Sequence, residues 1–217
     1  MHLEILVEGQ SERTALEPLL KKMLGVFRDP HTWRIHKHQG KGELPPDPSV
    51  RPDPKNPTLL HNLPASLRAY GKSLRPDEAV VVLVDLDNQA CLDLKRRMAG
   101  LLNHCNPAPK CLFRIAIEEL EAWFLGDPKA LLVAYPQAKR GILDTYVQDS
   151  VCGTWELLAD AIHPGGVKAL KRRGRNAPVE EKRIWAKNVA PKMDLDANQS
   201  PSFRVFVDGL RRLVGRG

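Results

Sequence analysis

The chain has 217 residues, 42% hydrophobic and 27% charged, the balance of an ordinary globular protein long enough to bury a sizeable core. No apolar stretch reaches bilayer-spanning length and Met1 leads almost directly into a strand, so neither a membrane span nor a signal peptide is expected, and the expected location is the cytoplasm. The formal net charge of +7 suggests an anionic partner such as nucleic acid without establishing one.

Residues 2–7 (HLEILV) read as a short strand that runs into Glu8-Gly9-Gln10-Ser11-Glu12. Gly9 permits a tight turn, and Ser11 is the expected N-cap of the next helix. Leu16, Leu19, Leu20, Met23 and Leu24 recur at helical spacing and form its core face. Glu8 therefore stands at a strand tip. Glu12, one turn into the helix, either adds a further carboxylate there or simply complements the helix dipole.

Residues 33–38 (WRIHKH) read as a second strand, with His36 and His38 on one face, as metal ligands or as ordinary solvated strand residues. Lys41 lies between Gly40 and Gly42 in a loop that can approach a phosphate, although two glycines alone are a weak signal. Residues 43–57 hold six prolines among charges and are expected to form a rigid, exposed insertion. A helix carrying Leu63, Leu67 and Tyr70 comes next.

Residues 79–88 (AVVVLVDLDN) organise the remainder. So short and β-branched an apolar run predicts a strand buried on both faces, as in the centre of a parallel sheet. Asp85 and Asp87 fall at its carboxyl end, where such sheets bind ligands, and side chains two apart on an extended chain point the same way. Two converging carboxylates call for a cation or a proton, and a hard divalent ion such as Mg²⁺ suits them. A helix cap accounts for one Asp but not for both.

A helix over residues 92–102 leads to a fourth strand, residues 111–117, which again ends in acid: Glu118, Glu119 and Glu121. Three strand tips thus carry carboxylates, and either Glu119 or Glu121 is expected to face the shared cleft. From Pro128 onward no convincing strand appears; residues 155–162, 180–189 and 202–214 read as helices, the last with Ser200 as cap and Pro201 in first position. Residues 163–175 read as a glycine-punctuated basic loop, with Lys168, Lys171, Arg172, Arg173 and Arg175 as phosphate contacts or as a solvated surface. The cysteines Cys91, Cys105, Cys111 and Cys152 lack paired or zinc-type spacing and read as reduced thiols. The expected organisation is an α/β core over residues 1–127, interrupted by the 43–57 insertion, with a helical extension over 128–217 packed on it.

The combination strand–Glu8-Gly9-x-Ser11-Glu12–helix with strand–Asp85-x-Asp87 resembles the Toprim domain of topoisomerases, primases and the overcoming-lysogenization-defect nucleases. More closely, VEGQSE, VLVDLDN, RIAIEELEAWFLGD and VAPKMDLDANQSPSF are similar to a bacterial domain-of-unknown-function family, number 4276, described as Toprim-like. The resemblance implies a Toprim-like Rossmannoid sheet in which Glu8, Asp85 and Asp87 hold Mg²⁺ or Mn²⁺; Glu119 or Glu121 is expected, from its place at the third strand tip, to join them. It further implies that Glu8 serves metal binding or acid–base work in phosphodiester chemistry. In the expected mechanism, Lys41 or Arg114 balances charge developing on the phosphate. The expected activity is a metal-dependent nuclease, of the kind found in phage defence. Any motor would be a separate ATPase partner, because the chain lacks an ATPase domain. No tyrosine stands in a strand-transfer context, which counts against a topoisomerase. The rival expectation is a non-catalytic metal- or nucleic-acid-binding module that regulates such a partner.

Overall fold

A computed structural model describes residues 1–87, 89–150 and 153–215; Asn88 and Cys152 lie outside the described residues. Strands β1 (His2–Val7), β2 (Thr32–Lys37), β3 (Glu78–Asp85) and β4 (Cys111–Ala116) form a parallel sheet in the spatial order β2-β1-β3-β4. Every position of β3 is buried, as its unbroken apolar run requires of a strand covered on both faces. The fold is a Rossmann-like α/β arrangement, with helices on both faces of the sheet and further helices after β4.

Side-chain alternation divides the core. Leu3, Ile5 and Val7 of β1, with Ala79, Val81 and Leu83 of β3, pack beneath helix α1 (Gln10–Leu24). Leu6, Val80, Val82 and Val84 project oppositely onto α2 (Leu59–Ser73) and α3 (Cys91–Gly100), through Leu63, Leu67, Leu94 and Met98. The proline-rich stretch 43–57 is largely exposed; Leu44 is its buried anchor.

After β4 come α4 (Glu121–Leu125), α5 (Pro128–Ala134), α6 (Arg140–Thr145), α7 (Thr154–Ile162), α8 (Gly166–Arg172), α9 (Ala177–Val189) and α10 (Pro201–Leu213). Helix α9 packs along α1, and α10 packs along β4. The larger apolar cluster runs without a break from the sheet into these helices, through Trp123, Phe124, Trp185, Phe203 and Phe206. None of the described helices is long and apolar enough to cross a membrane.

Two motifs without assigned chemistry prove to interlock here. The Trp123 ring lies 5.2 Å from Phe203 and 5.0 Å from Phe206, and its indole N–H donates to Ser202 Oγ at 3.0 Å. Asn198 Nδ2 donates to the Trp123 carbonyl at 2.8 Å, and the Gln199 N–H donates to the Gly126 carbonyl at 2.7 Å. Ser200 caps α10 as expected, its Oγ accepting from the Phe203 N–H at 3.2 Å. A Cβ on Gly126 would lie 2.4 Å from Asn198 Oδ1 and 2.9 Å from Ser200 Cβ and Ser200 N. Gly126→Ala should therefore cost about 1–3 kcal/mol through overpacking, measured by urea unfolding. A change within about 0.5 kcal/mol, the range of neutral surface substitutions, would show that this junction gives way freely.

Two local expectations need correction. Helix α1 begins at Gln10 after Gly9, so Ser11 sits inside it and its hydroxyl donates to Glu12 Oε1 at 2.9 Å rather than capping. The basic stretch 163–175 is not a loop. Gly165 and Gly166 take left-handed conformations at the start of α8 and Gly174 takes one just beyond its end, so the glycines bound a short helix.

Candidate acidic site

From β1 the chain passes outward to β2 and then returns across β1 to β3. The crevice beyond the carboxyl ends of β1 and β3 is thus the topological switch point, the position where open α/β sheets bind ligands. Glu8 comes directly after β1, and its Oε1 accepts the Asp85 N–H across the gap at 2.7 Å. A cleft of about 530 Å³ opens there, its walls including Glu8, Glu12, Asp85, Asp87, Glu119 and Lys182. Gly9 lies against the Glu12 carboxylate, where a Cβ would stand 3.2 Å from Oε2.

The acids are held in unequal ways. Glu119 caps α7, its Oε2 accepting from the Trp155 N–H at 3.1 Å and from Thr154 Oγ1 at 3.3 Å, while its Oε1 meets Lys182 Nζ at 3.0 Å. Glu121 is 1% exposed and has Lys182 Nζ 3.3 Å from its Oε2, yet neither of its oxygens receives a hydrogen bond. Both Glu119 and Glu121 thus turn toward the acidic tips. Glu118 instead takes a left-handed backbone, and its carbonyl accepts the Asp87 N–H at 3.0 Å.

Crowding and burial set the protonation states. Burial, reinforced by Glu12, pushes Glu8 up to about 8 against the relief of the Asp85 N–H. Asp85 is raised well above the carboxylate range by burial first, then by Glu8 and Glu12. Burial lifts Glu121 to about 7 despite Lys182, with Glu119 and Glu12 adding to the rise. Lys182, conversely, is held above its usual value by Glu121, Glu119 and Asp85, which outweigh its own desolvation.

Asp87 does not continue the strand. β3 ends at Asp85 and Asp87 has a φ of 52°, so the two aspartates leave the two-residue alternation of an extended chain. Asp87 Oδ2 pairs with Lys41 Nζ at 3.0 Å, and the same ammonium donates to the Leu86 carbonyl at 2.8 Å. Lys41 is 8% exposed and clamps the β3 tip from beneath, rather than reaching into the cleft. Its flanking glycines both adopt positive φ, and Gly42 lies where a Cβ would stand 2.0 Å from Thr58 Oγ1. Arg114 is engaged elsewhere, donating to the carbonyls of Val205 at 3.0 Å and Phe113 at 2.8 Å. His36 pairs with Glu4, and His38 Nδ1 lies 3.1 Å from the Val7 carbonyl, so the two histidines have separate partners.

The basic group on and after α8 does not line the cleft. Lys171 Nζ lies 3.3 Å from Glu156 Oε1 and 5.1 Å from the centre of the Trp155 ring, and Arg173 donates to Glu181 at 2.6 Å. Lys168, Arg172 and Arg175 accompany them on this outer surface. The cleft takes its cations instead from α9, as Lys182 and Arg183, and from β2, as Lys37. Lys182 is the residue that sequence reasoning missed, and Glu12, 7% exposed, is the one it left undecided.

The donor set can be tested against a divalent cation. Carboxylate oxygens alone suit Mg²⁺ or Mn²⁺, and Glu8, Asp85 and Glu121, pushed toward the protonated form by burial and crowding, would exchange protons for such a cation. Among the described residues, however, no three or more His, Cys, Asp or Glu side chains stand grouped so as to hold a metal ion. The residues fit the ion in donor type and charge, and ligation requires their side chains to turn.

One family model, described as domain of unknown function (DUF4276), matches residues 7–211. Comparison with curated proteins and with solved structures finds no match for this chain.

Proposed function

The chain belongs to the family described as domain of unknown function (DUF4276), and from that premise we propose that it is a Mg²⁺- or Mn²⁺-dependent phosphoryl-transfer enzyme, acting as a nuclease beside a separate ATPase in phage defence. The observation that carries this reading is the excess of buried carboxylate over lysine at the β1–β3 switch point. The Toprim resemblance of Glu8, Asp85 and Asp87 supports it.

Glu8, Glu12, Asp85 and Glu121 are the residues that would hold the ion, with Asp87 at the rim. When bound, such an ion acidifies a water and neutralises phosphate oxygens. The chain's own groups do the remainder. In the metal-free protein Glu8, with a pKa of about 8, exchanges a proton near neutral pH, the range in which a general acid or base works. Lys182 and Arg183 line the cleft as cations that can face phosphate oxygens. Lys41 positions Asp87 and fixes the β3 tip.

Labelled single- and double-stranded DNA and RNA, incubated in Mg²⁺, Mn²⁺ or EDTA, provide the test. Cleavage is expected with metal and not in EDTA, and Glu8→Gln should slow it roughly 10²–10⁴-fold with the fold retained. Asp85→Asn should stabilise the metal-free protein by relieving carboxylate repulsion, while abolishing the rise in melting temperature on adding Mg²⁺. Cleavage that persists in EDTA, or in both variants, would sink the reading.

Lys182 itself favours a second reading. Lying 3.0 Å from Glu119 and 3.3 Å from Glu121, it occupies a place a cation would take. A protein with its cation built in would be a non-catalytic module regulating a partner such as an ATPase. Absence of cleavage under every metal condition, with no thermal response to Mg²⁺, favours that outcome.

A further inference from the structure

A second concavity, of about 570 Å³, lies along the free edge of β2, between that strand and the outer stripe of α1. Two features distinguish it from ordinary surface. Phe27 and Trp33 meet edge-to-face there, with ring centres 5.0 Å apart, and the Arg28 guanidinium lies 5.6 Å from the Phe27 ring centre. Phe27 is 41% exposed, a large aromatic displayed to solvent. Around the rings the groove carries Arg13, Lys21 and Arg34 against a single acid, Glu17, which Arg13 meets at 3.3 Å.

Both walls of this groove continue into the acidic cleft. On the helix wall, Gln10, Ser11 and Glu12 belong to the cleft, and Arg13, Glu17 and Lys21 belong to the groove. On the strand wall, residues 33–36 line the groove and Lys37 and His38 line the cleft. Trp33 and Lys37 are four residues apart on the strand, so the aromatic pair lies roughly 13 Å along β2 from the cleft's rim.

We propose that this groove is the track by which a single-stranded nucleic acid enters the site, a base stacking on the exposed Phe27 ring beside Trp33 while its phosphates pass Lys21 and Arg34 toward the cleft. The inference rests on the phosphoryl-transfer reading and gives it a substrate class. Aromatic faces next to a cationic channel are the means by which proteins hold unpaired strands, because every base offers a π-face and every nucleotide a charge. A duplex keeps its bases stacked on one another and has none to offer these rings. The basic group around α8 lacks this continuity with the cleft, and two of its cations are already paired with acids.

Binding is measured in EDTA, where the proposed turnover is silent, as the anisotropy of labelled oligo-dT and oligo-U of about 16 nucleotides across a salt series. Wild type should bind single strands more tightly than duplex of equal length, and Phe27→Ala should weaken binding roughly 10-fold or more. Lys21→Ser with Arg34→Ser should lower the salt slope by roughly 1.4, at about 0.7 per lost phosphate contact on a single strand. Both variants change exposed side chains, and unchanged circular dichroism and melting temperature show that they fold. The two oligomers differ in the sugar and in the 5-methyl group of the base, and a preference between them supports the track in either case. The proposal is overturned if wild type binds no single strand at low salt, if duplex binds better, or if all three substitutions leave affinity and slope unchanged. A peptide strand added to the β2 edge would give the first of these results. Cleavage that depends on Asp85 alongside unaffected binding in the groove variants removes the track and spares the site; binding without cleavage does the reverse.

Discussion

Replacing Lys182 with methionine should lower stability by about 3–5 kcal/mol at pH 8, the cost of stranding a buried carboxylate without its partner. Methionine keeps most of the side chain's apolar length, so the loss reports charge more than packing. Glu121, 1% exposed and without a hydrogen bond to either oxygen, is the group left uncompensated. The loss should shrink toward pH 5. Without Lys182 the folded pKa values of Glu121 and Asp85 rise further, so the folded variant takes up protons that the unfolded chain does not hold and regains stability as pH falls. Adding Glu121→Gln to Lys182→Met should recover much of the deficit at pH 8, a coupling a double-mutant cycle reads directly. Urea unfolding at the two pH values decides the matter. Equal losses at both would mean that Lys182 contributes through its aliphatic stem alone.

The wild-type protein, free of divalent ions, should be more stable near pH 5.5 than near pH 8. Glu8 is raised to about 8 and Glu121 to about 7, and Asp85 is raised as well. Their unfolded values lie near 4, so between about pH 4.5 and 8 the folded state binds more protons, and stability falls as pH rises. His38, lowered by burial, opposes this trend below its ordinary value near 6.5, but it is one group against three. A tenfold change in a group's acidity on folding corresponds to about 1.4 kcal/mol, so a net decline of a few kcal/mol is expected even after allowing for coupling among the acids. Mg²⁺ favours the ionised carboxylates and should restore much of the loss at pH 8 while doing little at pH 5.5. Calorimetric melts in EDTA and in Mg²⁺ check both halves. A melting temperature that rises with pH in EDTA would show that the acids are far better solvated than their burial implies.

The placement of Glu8 and Asp85 was legible because strand burial is written in short apolar runs, and the residues just after such a run must lie at the sheet's edge. Their meeting across β1 and β3 came from parallel topology alone. Asp87 was harder to read: its left-handed turn breaks the alternation on which its orientation was inferred, and VDLDN holds no glycine or proline to mark that turn. Lys182 could not have been singled out. It sits among Glu180, Glu181 and Arg183 on α9, where local pattern suggests a solvated face, and only the packing of α9 along α1 carries it inward. Residues 163–175 were misread because glycines that bound a helix look, in a linear sequence, like glycines that dissolve one. The groove beside β2 escaped notice for a related reason, since Phe27 and Trp33 come together only when the turn after α1 folds back.

The neutralising lysine of the acidic site has a consequence for the order of events at the ribosome. Glu8, Glu12, Asp85, Glu119 and Glu121 are all synthesised before Lys182, which comes after Asp85 by roughly 100 residues, or ~5–20 s at ~5–20 residues per second. The larger apolar cluster waits just as long, because Trp185, Phe203 and Phe206 belong to it. During that interval the nascent sheet carries its acids unbalanced, and protons or ambient Mg²⁺ are the counter-charges within reach. Until α9 arrives, protonation of these acids, which burial favours in the folded chain, is the means the chain itself has of easing their repulsion.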